Sequence, residues 1–326
     1  MTMNGTEDKM SFPKLIVILG ATGTQGGSVV SALHDDAAYR IRCVTRNIST
    51  EKAKALASRG FEVVAGDVNN VASLNRDAYA IYAVTQFFEA FPQISAAEAQ
   101  ALETRQGKTI ADAAASIPTL RHFIWSTLPS ASRITRGRWS LPHSDGKAEV
   151  DEYILHSLPD LAKITTFVWA GTYHDNLKLP PFRPTRLTTA DKYVMVQPCS
   201  ERTPVVTIGD ASVNVGIFVR SILSQPEITL PSRYVLMSAS EDSIGRWLEM
   251  WSEITNHESY YLQVDYNQYA DLWSDYGVEM GLMMKFWEFA REKSWSKAGV
   301  EVLTRNELGV TGLIGLKAAM EKIDWD

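Results

Sequence analysis

The chain has 326 residues, 45% of them hydrophobic and 21% charged, which is ordinary globular composition with ample length for a large core. A net charge of −6 argues against a nucleic-acid surface, which would carry a basic excess. Two isolated cysteines, Cys43 and Cys199, exclude a disulfide framework or a cysteine zinc site and point to a reducing compartment; no metal site is expected.

Residues 1–13 are polar, lack the apolar core of a signal peptide, and are expected to be a flexible N-terminus. No run approaches the roughly 18 apolar residues of a membrane span, so a cytoplasmic protein is expected, with nuclear entry if it is a regulator. From Lys14 onward, short apolar runs alternate with helical patterns. "KLIVILG" (14–20), "IRCVTR" (41–46), "FEVVAGD" (61–67), "AIYAVTQ" (80–86), "RHFIWST" (121–127) and "KITTFVWAG" (163–171) read as buried strands. Helical segments at 25–34, 49–59 and 95–116 separate them. Strands alternating with helices of this length predict βαβ units and a Rossmann-type α/β fold, a doubly wound parallel sheet spanning 14–173.

After Gly171 the rhythm breaks at the proline-rich "NLKLPPFRPTRL" (176–187). Residues 174–326 are read as a smaller, mostly helical C-terminal lobe for substrate or partner, with the strand–turn–helix at 203–223 returning to the first domain and Asp210 as helix N-cap. Six of the nine tryptophans lie beyond residue 240, so Trp273, Tyr276, Phe286 and Trp287 are candidate pocket walls as well as candidate core.

"GATGTQGG" (20–27) follows a strand and opens a helix, with Gly20, Gly23 and Gly26 spaced G-x-x-G-x-x-G. Glycine there permits a tight turn, close approach of a pyrophosphate and helix-on-strand packing, and the helix N-terminus offers free N–H groups to the anion. An NAD site would place an acidic residue at the end of the second strand. Here "VTRN" carries Arg46, whose guanidinium suits a 2′-phosphate, so NADP(H) is the expected cofactor. Asp67, ending the third strand, reads either as an adenine-side residue or as the N-cap of a helix over 69–77.

Together "GATGTQGGSVV", "VTRN", "VAGDV", "AVTQ", "QGKTIADAA" (106–114), "GRWSLPHSDGKAEVDEYI" (137–154) and "YHDN" (173–176) resemble the NmrA-like family of atypical short-chain dehydrogenase/reductases. The resemblance implies a pyrophosphate turn of Gly20, Thr22, Gly23, Thr24, Gln25 and Gly26, with Arg46 on the 2′-phosphate. It further implies Asp67 and Val68 at the adenine, Thr85 and Gln86 beside the cofactor, Lys147 on the nicotinamide ribose, and Tyr173 to Asn176 flanking the nicotinamide. One departure is that the family's second basic residue after "VTRN" is replaced by Ser49, Thr50 and Glu51, leaving Lys52 or Lys54 as substitutes.

A hydride-transferring reductase also needs a proton donor. In typical short-chain reductases it is a tyrosine four residues before the lysine; here that place holds His143, which can exchange a proton near neutral pH. If Pro142 starts the helix, His143 and Lys147 share a face, whereas Asp145-Gly146 would favour a later start and leave His143 in the loop. Ser126, Thr127 and Tyr173 are the other candidate polar groups of the reaction. The expected function is an NADPH-dependent reductase of a C=O, C=N or activated C=C bond in a hydrophobic small molecule. The alternative is a non-catalytic NADP(H) redox sensor acting on a protein partner, since sensor-type members of the family share the His-x-x-x-Lys pattern. Either would be a monomer or a homodimer.

Overall fold

The computed structural model describes residues 13–66 and 77–325. Residues 1–12, Asp67, Val68 and the helix expected over 69–77 lie outside the described residues or extend beyond them. The chain runs β1 (Lys14–Leu19), α1 (Thr24–Leu33), β2 (Tyr39–Thr45), α2 (Glu51–Ser58), β3 (Glu62–Ala65), β4 (Ala80–Val84), α3 (Ala96–Ala115) and β5 (His122–Thr127). Then come α4 (Ala131–Ile134), α5 (Pro142–Ser157), α6 (Pro159–Ala162), β6 (Thr165–Ala170), β7 (Thr172–Tyr173), β8 (Thr185–Leu187), β9 (Lys192–Gln197), β10 (Pro204–Gly209) and α7 (Ala211–Ser224). The last part holds α8 (Pro226–Thr229), β11 (Arg233–Met237), β12 (Ser240–Ser243), α9 (Ile244–Thr255), β13 (Ser259–Gln263), α10 (Tyr266–Ala290), β14 (Val302–Leu303) and α11 (Leu316–Met320).

The main sheet has the order β14-β11-β6-β5-β4-β1-β2-β3, and every pairing in it is parallel. Parallel strands need cover on both faces, which is why β5 and β6 are buried at every position. Along β1 the faces alternate. Ile16 and Ile18 join the core under α1 and α7, while Leu15, Val17 and Leu19 join the core under α3 and α5. Six strands lie where the apolar runs put them. The two that close the far edge, β11 and β14, come from the C-terminal half of the chain, where short runs amid helical sequence give little periodic signal.

Beyond the sheet, β12-β10-β7 and β13-β9-β8 form two small sheets, and a third core gathers Trp247, Trp251, Tyr269, Met284, Phe286 and Trp287. Phe286 and Trp287 are thus lobe core rather than pocket wall, whereas Tyr276 packs beside Phe88 and Phe91. Asp210 caps α7, accepting from the Ser212 N–H at 3.1 Å, and α7 lies against α1.

That helix pair is close because Gly216 leaves no room for more. A Cβ built there would stand 2.2 Å from the Ser28 carbonyl oxygen and 2.6 Å from the Ala32 methyl. Gly216→Ala is therefore expected to destabilise the fold by about 1–3 kcal/mol through overpacking. A lowered urea midpoint with unchanged slope is the expected readout; an unchanged midpoint would contradict the packing account.

Candidate functional site

Among the described residues, the candidate cofactor and proton-transfer residues lie around the carboxyl edge of the parallel sheet, where its strand order reverses on either side of β1. At the end of β1, Gly20 takes φ +69°, and the Gly23 N–H donates to its carbonyl at 2.9 Å. A Cβ on Gly26 would stand 2.3 Å from that same carbonyl oxygen, so only glycine lets α1 start this close to the strand. The helix N-cap is Gly23, without a side-chain cap and with no acidic residue in the first turn. Its leading N–H groups are thus available to an anion.

Gln25, inside that turn, is a hub. Its Oε1 accepts from the hydroxyls of Tyr82 on β4 and, at 2.8 Å, of Ser126 on β5, while its Nε2 donates to the Tyr173 hydroxyl at 2.5 Å. Burial pushes the Tyr173 phenol up to about 12, and it raises Tyr82 as well. The Tyr173 hydroxyl faces a carboxamide rather than a cation, and the Gln25 hydrogen bond offsets the effect of burial only in part.

Lys147 lies on α5, buried to 9% exposure. Its ammonium donates to the Thr85 carbonyl and hydroxyl, both at 2.9 Å, and to Glu103 Oε1 of α3 at 2.7 Å. Glu103, 2% exposed, has its second oxygen buried without a partner among the described residues.

The helix carrying Lys147 starts at Pro142, so Asp145 and Gly146 lie inside it. Asp145 makes this start work: its Oδ2 accepts the Leu141 N–H at 2.9 Å, and its Oδ1 holds Ser130 and Ser132 of the neighbouring loop. Gly146 is where α5 crosses α3, with the Thr104 hydroxyl donating to its carbonyl at 3.1 Å.

His143 therefore shares the helix with Lys147 but points to a different partner. Its Nδ1–H donates to Glu279 Oε1 of α10 at 2.5 Å, and its backbone N–H to the same oxygen at 3.1 Å. Glu279 is 1% exposed, and the imidazole packs beside Phe87 and Phe88. A cavity of about 410 Å³ opens next to this pair, lined by Phe91, Ile94, Val278 and Glu279 among others.

Thr127, Gln86, Arg46 and Asn176 complete the set. Thr127 is buried at the end of β5, its hydroxyl without a hydrogen-bond partner among the described residues; Gln86 is exposed after β4. Arg46 pairs with Glu89 in the short 3-10 turn Phe87–Glu89, and Asn176 lies partly exposed in the turn His174–Lys178. Glu103, Glu279, Tyr82, Glu89 and Asp151 were not legible as site residues from sequence. For Glu103 and Glu279 a signal existed. Each is a carboxylate on the buried stripe of its helix, Glu103 beside Ala99 and Gly107, and Glu279 four residues before Met283.

The fold and this glycine turn place the chain in the Rossmann class of α/β proteins. A model of the NmrA-like family matches residues 13–307, and the chain belongs to that family. An NmrA-like family domain-containing protein of Dictyostelium discoideum is 28% identical over 282 residues, 84% of this chain and 87% of that one. The NmrA-like oxidoreductase notA of an Aspergillus strain is 30% identical over 152 residues, 44% of this chain and 42% of its own length. Among solved structures, the negative transcriptional regulator NmrA in complex with NAD superposes with a TM-score of 0.74 over 96% of both chains at 19% identity; NmrA has also been solved with NADP.

Two outcomes test this geometry. Glu103→Gln strands a buried ammonium and should cost roughly 3–5 kcal/mol in thermal or denaturant unfolding, whereas Lys147→Met combined with Glu103→Leu should cost clearly less. Equal losses would mean that the pair is not electrostatically coupled.

Asp151 lies one turn beyond Lys147, and burial pushes its carboxyl up to about 7 despite hydrogen bonds from Trp125 at 3.0 Å and Tyr234 at 3.3 Å. A carboxyl raised in the folded state disfavours folding once ionised, so stability is lost as pH rises from the unfolded value near 4 to about 7. Asp151→Asn should therefore gain stability over the wild type progressively between pH 5 and pH 8. A constant difference across that range would contradict the assignment.

Proposed function

We propose that this protein binds NADP(H) along the carboxyl edge of β1, β2 and β4 and reduces a C=O, C=N or activated C=C bond of a hydrophobic small molecule. The fit of such a cofactor rests on three features. The uncapped start of α1 suits a pyrophosphate, and the Gly26 contact with Gly20 shows why the turn must be glycine. Arg46 stands at the end of β2, where a 2′-phosphate would be read. Glu103 and Lys147 bring an unpartnered buried acceptor and an ammonium to the end of β4, as ribose hydroxyls require. NmrA, of the same fold, has been solved with both NAD and NADP.

When bound, the cofactor supplies hydride from its nicotinamide ring. The protein's share is the proton, and the observation that carries the reductase reading is the His143–Glu279 pair. A carboxylate on Nδ1 fixes the imidazole and leaves Nε2 as the nitrogen that exchanges a proton with substrate. Tyr173 is the weaker donor, since burial raises its pKa and Gln25, not a cation, faces its hydroxyl. Phe91, Ile94 and Val278 give the adjoining cavity an apolar side for a hydrophobic substrate, and Phe88 and Tyr276 pack beside Phe91.

A second reading, an NADP(H) sensor acting on a protein partner, is favoured by the burial of His143 at the seam between α5 and α10. There the Glu279 bond ties the helix carrying Lys147 to the C-terminal lobe.

NADPH oxidation against a panel of quinones, aldehydes and imines separates the two. The reductase reading expects turnover that His143→Ala lowers by about 10²–10⁴-fold while NADPH affinity stays within a few-fold. Tight NADPH binding with no turnover on any member of the panel would favour the sensor, and no NADPH binding would sink both.

A further inference from the structure

Arg46 does not stand alone at the end of β2. Its guanidinium is paired with the Glu89 carboxylate, which reaches it from the turn after β4. Because β4 and β2 flank β1 in the sheet, this pair links the segments that follow β2 and β4 across the carboxyl end of β1. Both side chains are open to solvent, 62% and 49% exposed, so the pair is accessible to a solute.

Glu89 cannot retreat far. Phe87, two residues before it, is buried at 1% exposure and packs on Phe91 at 5.3 Å, and Phe88 stacks on Tyr276 at 6.3 Å. The turn is thereby pinned into the aromatic cluster, and its carboxylate is held next to Arg46. Of the two lysines that follow on α2, the Lys54 ammonium is paired with Glu51 at 2.9 Å, which leaves exposed Lys52 as the further cation of that segment.

Resting on the NADP(H) reading above, we propose that Glu89 is a specificity-determining residue that weakens the preference for NADP(H) over NAD(H). A phosphoryl group arriving on the adenosine ribose meets an arginine already occupied by a carboxylate. Binding must break that pair and then tolerate Glu89 as a like-charged neighbour. A cofactor without the phosphate leaves the Arg46–Glu89 pair intact. The pair thus opposes the dianion and is indifferent to the 2′-hydroxyl. Its effect is electrostatic, at a solvated site, and so is screened by salt.

The test is a set of dissociation constants for NADP+ and NAD+, measured by calorimetry on the full chain in low salt, for wild type, Glu89→Gln, Arg46→Ala and the double variant. Glu89→Gln should tighten NADP+ by about three- to tenfold, as expected for one solvated unit charge. NAD+ should change by less than about twofold, and the gain should shrink at high salt. In the Arg46→Ala background most of the gain should vanish, because no guanidinium remains to be released. A wild type that binds both nucleotides, with a Glu89→Gln variant of unchanged preference, would overturn this proposal alone. An equal gain with and without Arg46 would overturn the competition for the guanidinium. A wild type that binds neither nucleotide would overturn the cofactor reading itself. Glu89→Gln melting at the wild-type temperature guards against a folding effect.

Discussion

The arrangement at the sheet edge depends on one buried ion pair. Lys147 and Glu103 neutralise each other between α5 and α3, and Thr85 at the end of β4 takes the remaining donors of the ammonium. Burying two charges is costly, and the attraction offsets the cost only when geometry is tight and the other hydrogen bonds are met. Three elements must therefore meet in register: the close α3–α5 crossing at Gly146 and Gly107, the early start of α5 fixed by Asp145, and the end of β4. Small residues at the crossing are what allow a charged contact to form there.

A second polar contact extends this constraint to the C-terminal lobe. Glu279 bonds both the backbone and the ring of His143 at the first turn of α5, so α10 is tied to the same helix that carries Lys147. Between the two lies the Phe87–Glu89 turn, which packs its rings against His143 and sends its carboxylate to Arg46. One short segment thus touches both Arg46 at the end of β2 and His143 at the start of α5.

Much of this was readable in the sequence. Buried parallel strands announce themselves as continuous apolar runs, and the glycine spacing between the first strand and helix marks a turn with a specific steric need, so six strands and the turn were legible. The strands β11 and β14 were not, because they pair only through contacts far apart in the chain. The position of Lys147 was legible through its motif. Its partner Glu103 was not, although a carboxylate on the apolar stripe of an alanine-rich helix is an anomaly that asks for a buried cation. The direction of His143 was also hidden. Spacing alone gives it the same face as Lys147, but tertiary contact with α10, well over a hundred residues later, decides its partner. Asp145 shows the same limit: Asp145-Gly146 reads as a later helix start, yet Asp145 lies in the first turn of α5 and accepts the Leu141 N–H that precedes it.

The most direct test is a crystal structure with NADP+ bound. The account predicts the pyrophosphate on the backbone N–H groups of the Gly20–Gly26 turn, the 2′-phosphate within hydrogen-bond reach of Arg46 and the Lys147 ammonium turned to the nicotinamide ribose. A nucleotide bound elsewhere, or one seated in the turn with Lys147 still held only by Thr85 and Glu103, would contradict it.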